Sequence, residues 1–180
     1  EKLKKKSNLQ NGDVVIDIGS NDGTSLSNYN KSNTLIGIDP TIKKLKRFYR
    51  KDIITIPEFF DKTSIQKYLN KKKAKIITTI SMFYDLPSPI EFAKNVYDCL
   101  ADDGIWHLEQ SYMPLMIKNT SYDTICHEHL EYYSLKTIKY IFDKVGFKII
   151  DLEFNDINGG SFAITVSKKK ANYPEYSKII

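Results

Sequence analysis

Cysteine is scarce in this chain. Cys99 and Cys126 are the two present among 180 residues, and they form no Cys-x-x-Cys pair. That spacing excludes a self-contained structural zinc site or a disulfide framework, and the expectation is a reduced, cytoplasmic protein. Long apolar runs are missing too: no stretch approaches the roughly 20 residues that a membrane helix needs. The charged start, Glu1 to Lys6, lacks the apolar core of a secretory signal. No membrane partner is therefore expected. Repeats and low-complexity linkers are absent as well, which argues against a solenoid or a disordered spacer. Arginine is rare. Lysine supplies most of the net charge of +5, in runs such as Lys4 to Lys6, Lys71 to Lys73 and Lys168 to Lys170. These runs sit at segment boundaries without interleaved aromatics, so they read as solvated faces rather than as a nucleic-acid surface. A basic surface still suits a phosphorylated small-molecule substrate.

What is present fits one domain over residues 1–180 with a single sizeable core. Short β-rich apolar runs alternate with helical stretches. Strands are expected over 13–18, 34–39, 53–57, 75–81, 104–110, 147–154 and 161–167. Helices are expected over 24–29, 42–50, 63–71, 89–101 and 134–145. The first five strands are separated by helices, as in a doubly wound parallel sheet. The last two follow each other with no helix between, which predicts an antiparallel terminal hairpin. The fold class is therefore α/β: Rossmann-like, with a mostly parallel seven-stranded sheet.

The most informative segment is VVIDIGSNDG, Val14 to Gly23. An apolar strand ends in Asp17, and a glycine-containing turn feeds a helix near Thr24. Gly19 lets the chain turn sharply, and Gly23 permits close packing where the helix begins. The pattern is D-x-G-x-x-x-G rather than the dinucleotide G-x-G-x-x-G. Ser20, Asn21 and Asp22 fill it, and Asp22 would repel a pyrophosphate. S-adenosylmethionine (SAM) carries a sulfonium and an ammonium and no phosphate, so carboxylates suit it. The segment resembles motif I of class I methyltransferases, which implies that Asp17, Gly19, Ser20, Asn21 and Gly23 hold the methionine part of SAM. A strand-turn-helix with no ligand is the competing reading.

Asp39 closes the second strand about 20 residues after the glycine turn, where a carboxylate can accept both ribose hydroxyls. A helix-capping role for Asp39 or Thr41 is compatible with that. Glu58 and Phe59 follow the third strand, where an adenine pocket would form and an aromatic ring could lie against the purine. Phe60 reads as core. Ser81 ends the fourth strand on the same crevice, since ligands gather at the carboxyl ends of parallel strands. The SMFYDLP that follows lacks the Asn- or Asp-Pro-Pro-aromatic motif of enzymes that methylate an amino group on a flipped base.

Polar chemistry is densest in Ser111 to Leu135, between the fifth strand and the next helix. His127 and His129 flank Glu128 there, among several tyrosines. Three readings stay open. A histidine oriented by a carboxylate could act as a general base. His-x-His with a glutamate could bind a metal, though none is expected. The segment could also be a turn whose polar groups are satisfied internally.

VVIDIGSNDGT, GIDPT, EFF, FYDLPSP, GIWHLEQSYM, SYDTICHEHLEYYSL and INGGSF together resemble the sugar C-methyltransferases that act on nucleotide-linked 4-keto deoxysugars. The resemblance spans Val14 to Phe162. It implies proton removal beside a keto group and attack of the resulting carbanion on the SAM methyl group. His129 matches the family's base and Glu128 its acidic neighbour. Asp85 stands where the family can place a histidine, and it joins the catalytic group. Cys126 stands where the family often has tyrosine. Both departures touch the acceptor side, so an oxygen or nitrogen acceptor, or a SAM-binding module without turnover, stays open. Full-length family members add a cysteine-rich zinc module before this domain and a second α/β domain after it; neither lies within these 180 residues.

Overall fold

A computed structural model describes residues 1–69 and 71–177. Its seven strands are β1 (Val14–Ile18), β2 (Thr34–Ile38), β3 (Ile54–Ile56), β4 (Ala74–Ile80), β5 (Leu100–Ser111), β6 (Phe147–Asn155) and β7 (Ser161–Lys168). They form one sheet in the order β3-β2-β1-β4-β5-β7-β6. The first five strands are parallel. β7 runs antiparallel between β5 and β6, so the expected terminal hairpin is there with β6 at the edge.

Every residue of β1 is buried, as a strand covered on both faces requires. The helices α1 (Lys2–Ser7), α2 (Thr24–Ser27) and α3 (Ile42–Leu45) line one face. Leu3, Leu26 and Ile42 pack there on Val15, Leu35, Ile76 and Ile105. The other face carries α4 (Lys62–Leu69), α5 (Pro89–Cys99) and α7 (Leu135–Val145). α5 starts with proline in its first turn and buries Phe92, Ala93, Val96 and Cys99, a helical stripe. α7 opens where the Ser134 side chain accepts from the Thr137 amide and ends at Gly146 in the left-handed region. Trp106 sits beneath them at 5.4–6.2 Å from the rings of Phe83, Phe92, Phe142 and Phe147. Its indole N–H donates to Thr79 Oγ1 at 3.0 Å, so the buried polar atom is satisfied. Among the described residues, no helix is long and apolar enough to cross a membrane.

Two local differences from the sequence expectation have physical reasons. The helix expected over 42–50 stops at Leu45, passes through a 3-10 turn at Lys46–Phe48 and leaves Tyr49 extended. The break lets the Tyr49 hydroxyl reach Ser20 Oγ at 2.7 Å and the Asn21 carbonyl at 2.9 Å. A further helix, α6 (Met113–Lys118), follows β5 directly. Its Pro114 reads as a breaker in sequence but sits in the first turn, where no intrahelical donor is needed.

Candidate active site

The carboxyl ends of β1, β2, β3 and β4 open on one crevice. The turn after β1 has left-handed backbone at Gly19 (φ 76°), Asn21 (φ 46°) and Gly23 (φ 79°). A Cβ at Gly23 would stand 2.6 Å from the Tyr49 ring, so only glycine fits beneath that brace. Asp39 locks the turn from the side. Its Oδ2 accepts the Asn21 amide at 2.9 Å, and its Oδ1 accepts the Thr41 amide and hydroxyl at 2.7 and 2.6 Å. Asp39 does not cap α3, whose N-cap is Thr41 with no side-chain cap bond; its carboxylate closes the turn onto Thr41 and is fixed at the strand end. Ser20 turns inward to Tyr49 and is buried, so its contribution at the crevice is limited to backbone.

Asp17 lies below this turn, 3% exposed. Thr78 Oγ1 donates to its Oδ1 at 2.5 Å. Burial pushes its carboxyl up to about 6, with the Thr78 bond pulling the other way. Glu58 and Phe59 project at the end of β3, Phe59 with 83% of its surface exposed. Phe60 instead packs edge-on against Phe92 at 5.2 Å and belongs to the core, as expected. Ser81 is exposed in the left-handed region at the end of β4, its amide bonded to the Glu109 carbonyl.

The electrostatics of this crevice decide which ligand it suits. Asp17, Asp22, Asp39 and Glu58 contribute four carboxyl groups. Segments 17–23, 37–41, 56–60 and 78–82 contain no lysine or arginine, in a chain of net charge +5. A diphosphate would meet repulsion here, whereas a ligand with a sulfonium and an ammonium meets opposite charge. The donor set fits SAM.

The segment from α6 to α7 carries the residues expected on the acceptor side. Among the described residues no group of three or more His, Cys, Asp or Glu side chains could hold a metal. His127 is 95% exposed at its side chain, with Nε2 3.6 Å from Glu128 Oε1. Glu128 thus faces His127, and the carboxylate expected to orient His129 does not do so. A backbone carbonyl does: His129 Nδ1–H donates to Thr124 O at 2.8 Å. A carbonyl only accepts, so Nδ1 carries the proton and Nε2 carries the lone pair in the neutral ring. The His129 ring lies 4.1 Å from the Tyr84 ring. Asp85, next along the chain, has its carboxyl raised, first by burial and then by Glu128, while His129 pulls it down. Asp85 thus lies close to both Glu128 and His129.

Several groups here escaped the sequence reading. Thr78, Tyr49 and Tyr84 position Asp17, the glycine turn and His129, and no spacing rule marks such partners. Gln110, 1% exposed at the end of β5, has neither amide atom bonded. The hydroxyls of Ser111, Tyr132 and Tyr133 are likewise buried and unpartnered. An uncompensated buried polar group costs about 1–3 kcal/mol, and four residues of this kind gather at one end of the sheet.

Comparison with known proteins agrees with this geometry. Residues 2–152 match the family described as a methyltransferase domain. The chain belongs to this family. It is a class I, SAM-dependent methyltransferase domain, and the seven-stranded sheet with its antiparallel end is the fold of solved methyltransferases. C-methyltransferase NovU of Streptomyces niveus is 28% identical over 167 residues, covering 92% of this chain and 40% of NovU. LepI, solved in complex with SAM, superimposes with a TM-score of 0.71 at 15% identity, covering 93% of this methyltransferase domain and 47% of LepI. The plantazolicin methyltransferase BpumL, solved with a triazolic desmethylPZN analog and SAH, gives a TM-score of 0.71 at 12% identity over 94% of this domain and 81% of BpumL. The two solved structures share the fold, and this domain spans less than half the length of NovU and of LepI.

Proposed function

We propose that this domain methylates a carbon beside the keto group of a nucleotide-linked deoxysugar, with His129 as the general base. The observation that carries the reading is the fixed tautomer of His129. Its Nδ1–H is held by the Thr124 carbonyl, which leaves the Nε2 lone pair free to accept a proton. Similarity to NovU, named a C-methyltransferase, supports carbon as the acceptor.

Asp39 and the backbone of Gly19 to Gly23, with Asp17 beneath, would hold the methionine and ribose parts of SAM. Glu58, Phe59 and Ser81 would border its adenine end. When bound, SAM supplies an electrophilic methyl group on a sulfonium. His129 Nε2 takes the proton from the carbon beside the keto group, and the C–H electron pair moves into an enolate. That enolate carbon is the nucleophile to which bound SAM would give its methyl group, the S–CH3 electron pair staying on sulfur in the product S-adenosylhomocysteine (SAH). Asp85, close to His129, favours the imidazolium that develops. The test is incubation with SAM and a nucleotide-linked 4-keto deoxysugar, followed by NMR of the product. A new methyl on ring carbon is the expected result. A methyl on oxygen or nitrogen would assign His129 to deprotonating a heteroatom instead, and SAM binding without turnover on any acceptor would leave a binding module.

A further inference from the structure

Between α6 and the segment that carries His129 lies a cavity of about 310 Å³. Met113, Met116, Ile117, Tyr122, Ile125 and Tyr132 form most of its wall, and none of its lining side chains is charged. The Tyr132 ring stands edge-on to the His129 ring at 6.5 Å, so the cavity adjoins the base. The Tyr132 hydroxyl oxygen is buried and has no hydrogen-bond partner. At the cavity mouth Ile117, Tyr122 and Ile125 are 62–71% exposed, an apolar cluster that water covers at a cost.

We infer that this cavity is an acceptor subsite that takes an uncharged, ring-sized group, its apolar edge against Met113, Met116 and Ile125. Volume sets the first limit. Ligand sites run from about 300 to 1,000 Å³, so this one holds a single ring and no complete nucleotide sugar. Charge sets the second. A phosphate in a wall without cations would lose its hydration with nothing in exchange, so charged parts of the acceptor stay outside. The inference rests on the proposed acceptor chemistry and adds where the reacting ring sits and why it must be poor in hydroxyls on one edge.

The chain's three methionines make a direct test. Met82 belongs to the cofactor crevice: a Cβ at Gly19 would stand 3.0 Å from its Cγ. Met113 and Met116 belong to the new cavity. With the methionine methyl groups carbon-13 labelled, SAH should move Met82. Cyclohexanone, an uncharged ring with one carbonyl, should move Met113 and Met116 saturably and leave Met82 in place. Ile125→Asp alters an exposed position, so the fold is not at stake, and it should weaken the cyclohexanone response by about tenfold or more. Unmoved Met113 and Met116 signals, equal movement of all three methionines, or an unchanged response in Ile125→Asp would each overturn the subsite. A face covered by another stretch of protein in a longer chain gives the first of these outcomes. Failure of methyl transfer with the cyclohexanone response intact would count against the proposed reaction and leave the subsite standing.

Discussion

The two halves of the crevice are built differently. On the cofactor side, the turn after β1 is tied to Asp39, Tyr49 and the Ile38 carbonyl by several hydrogen bonds, and both Asp39 oxygens are engaged. On the acceptor side, Gln110, Ser111, Tyr132 and Tyr133 bury polar atoms with no partner, and Ile117, Tyr122, Ile125 and Leu130 face water. The first half, the proposed cofactor side, has its hydrogen bonds met within the chain. The second keeps unmet hydrogen-bond capacity and uncovered apolar surface, which a particular acceptor can satisfy. Generic binding is pre-paid in rigid backbone, while selectivity resides in groups that ligand completes.

The largest expected effect separates the halves. His129→Ala should lower methyl transfer by about 10²- to 10⁴-fold and leave SAH affinity unchanged, read by single-turnover kinetics and calorimetry. Equal turnover would remove His129 as base.

Asp17→Asn probes the cost of the cofactor half. In the folded chain this carboxyl takes up its proton near pH 6, against an ordinary value of 3.8. The folded state therefore binds more protons than the unfolded state between those values, and stability falls as pH rises through about 4 to 6. Replacing the charge should raise unfolding free energy at pH 7.5 by up to about 3 kcal/mol, while SAM affinity drops. His107 acts in the opposite sense. It is partly buried on β5 with Nδ1 2.9 Å from Thr165 Oγ1, and desolvation pushes its pKa down to about 4 from 6.5. The folded state then binds fewer protons, and stability rises from about pH 4 to 6.5. Denaturant curves across this range should show the wild-type slope increase in Asp17→Asn, because the His107 contribution is no longer offset.

Asp39→Ala should weaken SAH binding by about 1–3 kcal/mol, since it removes a charged hydrogen-bond acceptor and frees the Asn21 amide. An unaltered affinity would break the cofactor assignment of Asp39. Smallest is Gln110→Leu on the other half. Because neither amide atom is bonded, an apolar side chain of similar length should leave stability within about 1 kcal/mol or raise it. A loss of several kcal/mol in thermal unfolding would show that Gln110 is satisfied in solution without ligand.

The same contrast explains what was legible in the sequence. VVIDI, TLIGI and AKIITTI are buried parallel strands, and their β-branched runs mark them without ambiguity. Asp17, Gly19, Gly23 and Asp39 lie at strand ends, where topology alone gathers them, so the crevice could be read from spacing. Tyr49 could not, because its role depends on a helix that breaks to deliver it. The orientation of His129 was also hidden. Its partner is the Thr124 carbonyl, and a backbone atom has no residue signature, whereas Glu128, the obvious candidate in sequence, points to His127. The Met113–Lys118 helix was concealed by Pro114, and with it the cavity it walls.

The most direct measurement is calorimetric titration of this chain with SAH, in wild type and His129→Ala side by side. We expect saturable one-to-one binding with matching affinity in both, because the cofactor half is complete without the acceptor half. Absence of binding by the folded wild-type chain, or loss of binding in His129→Ala, would contradict that division.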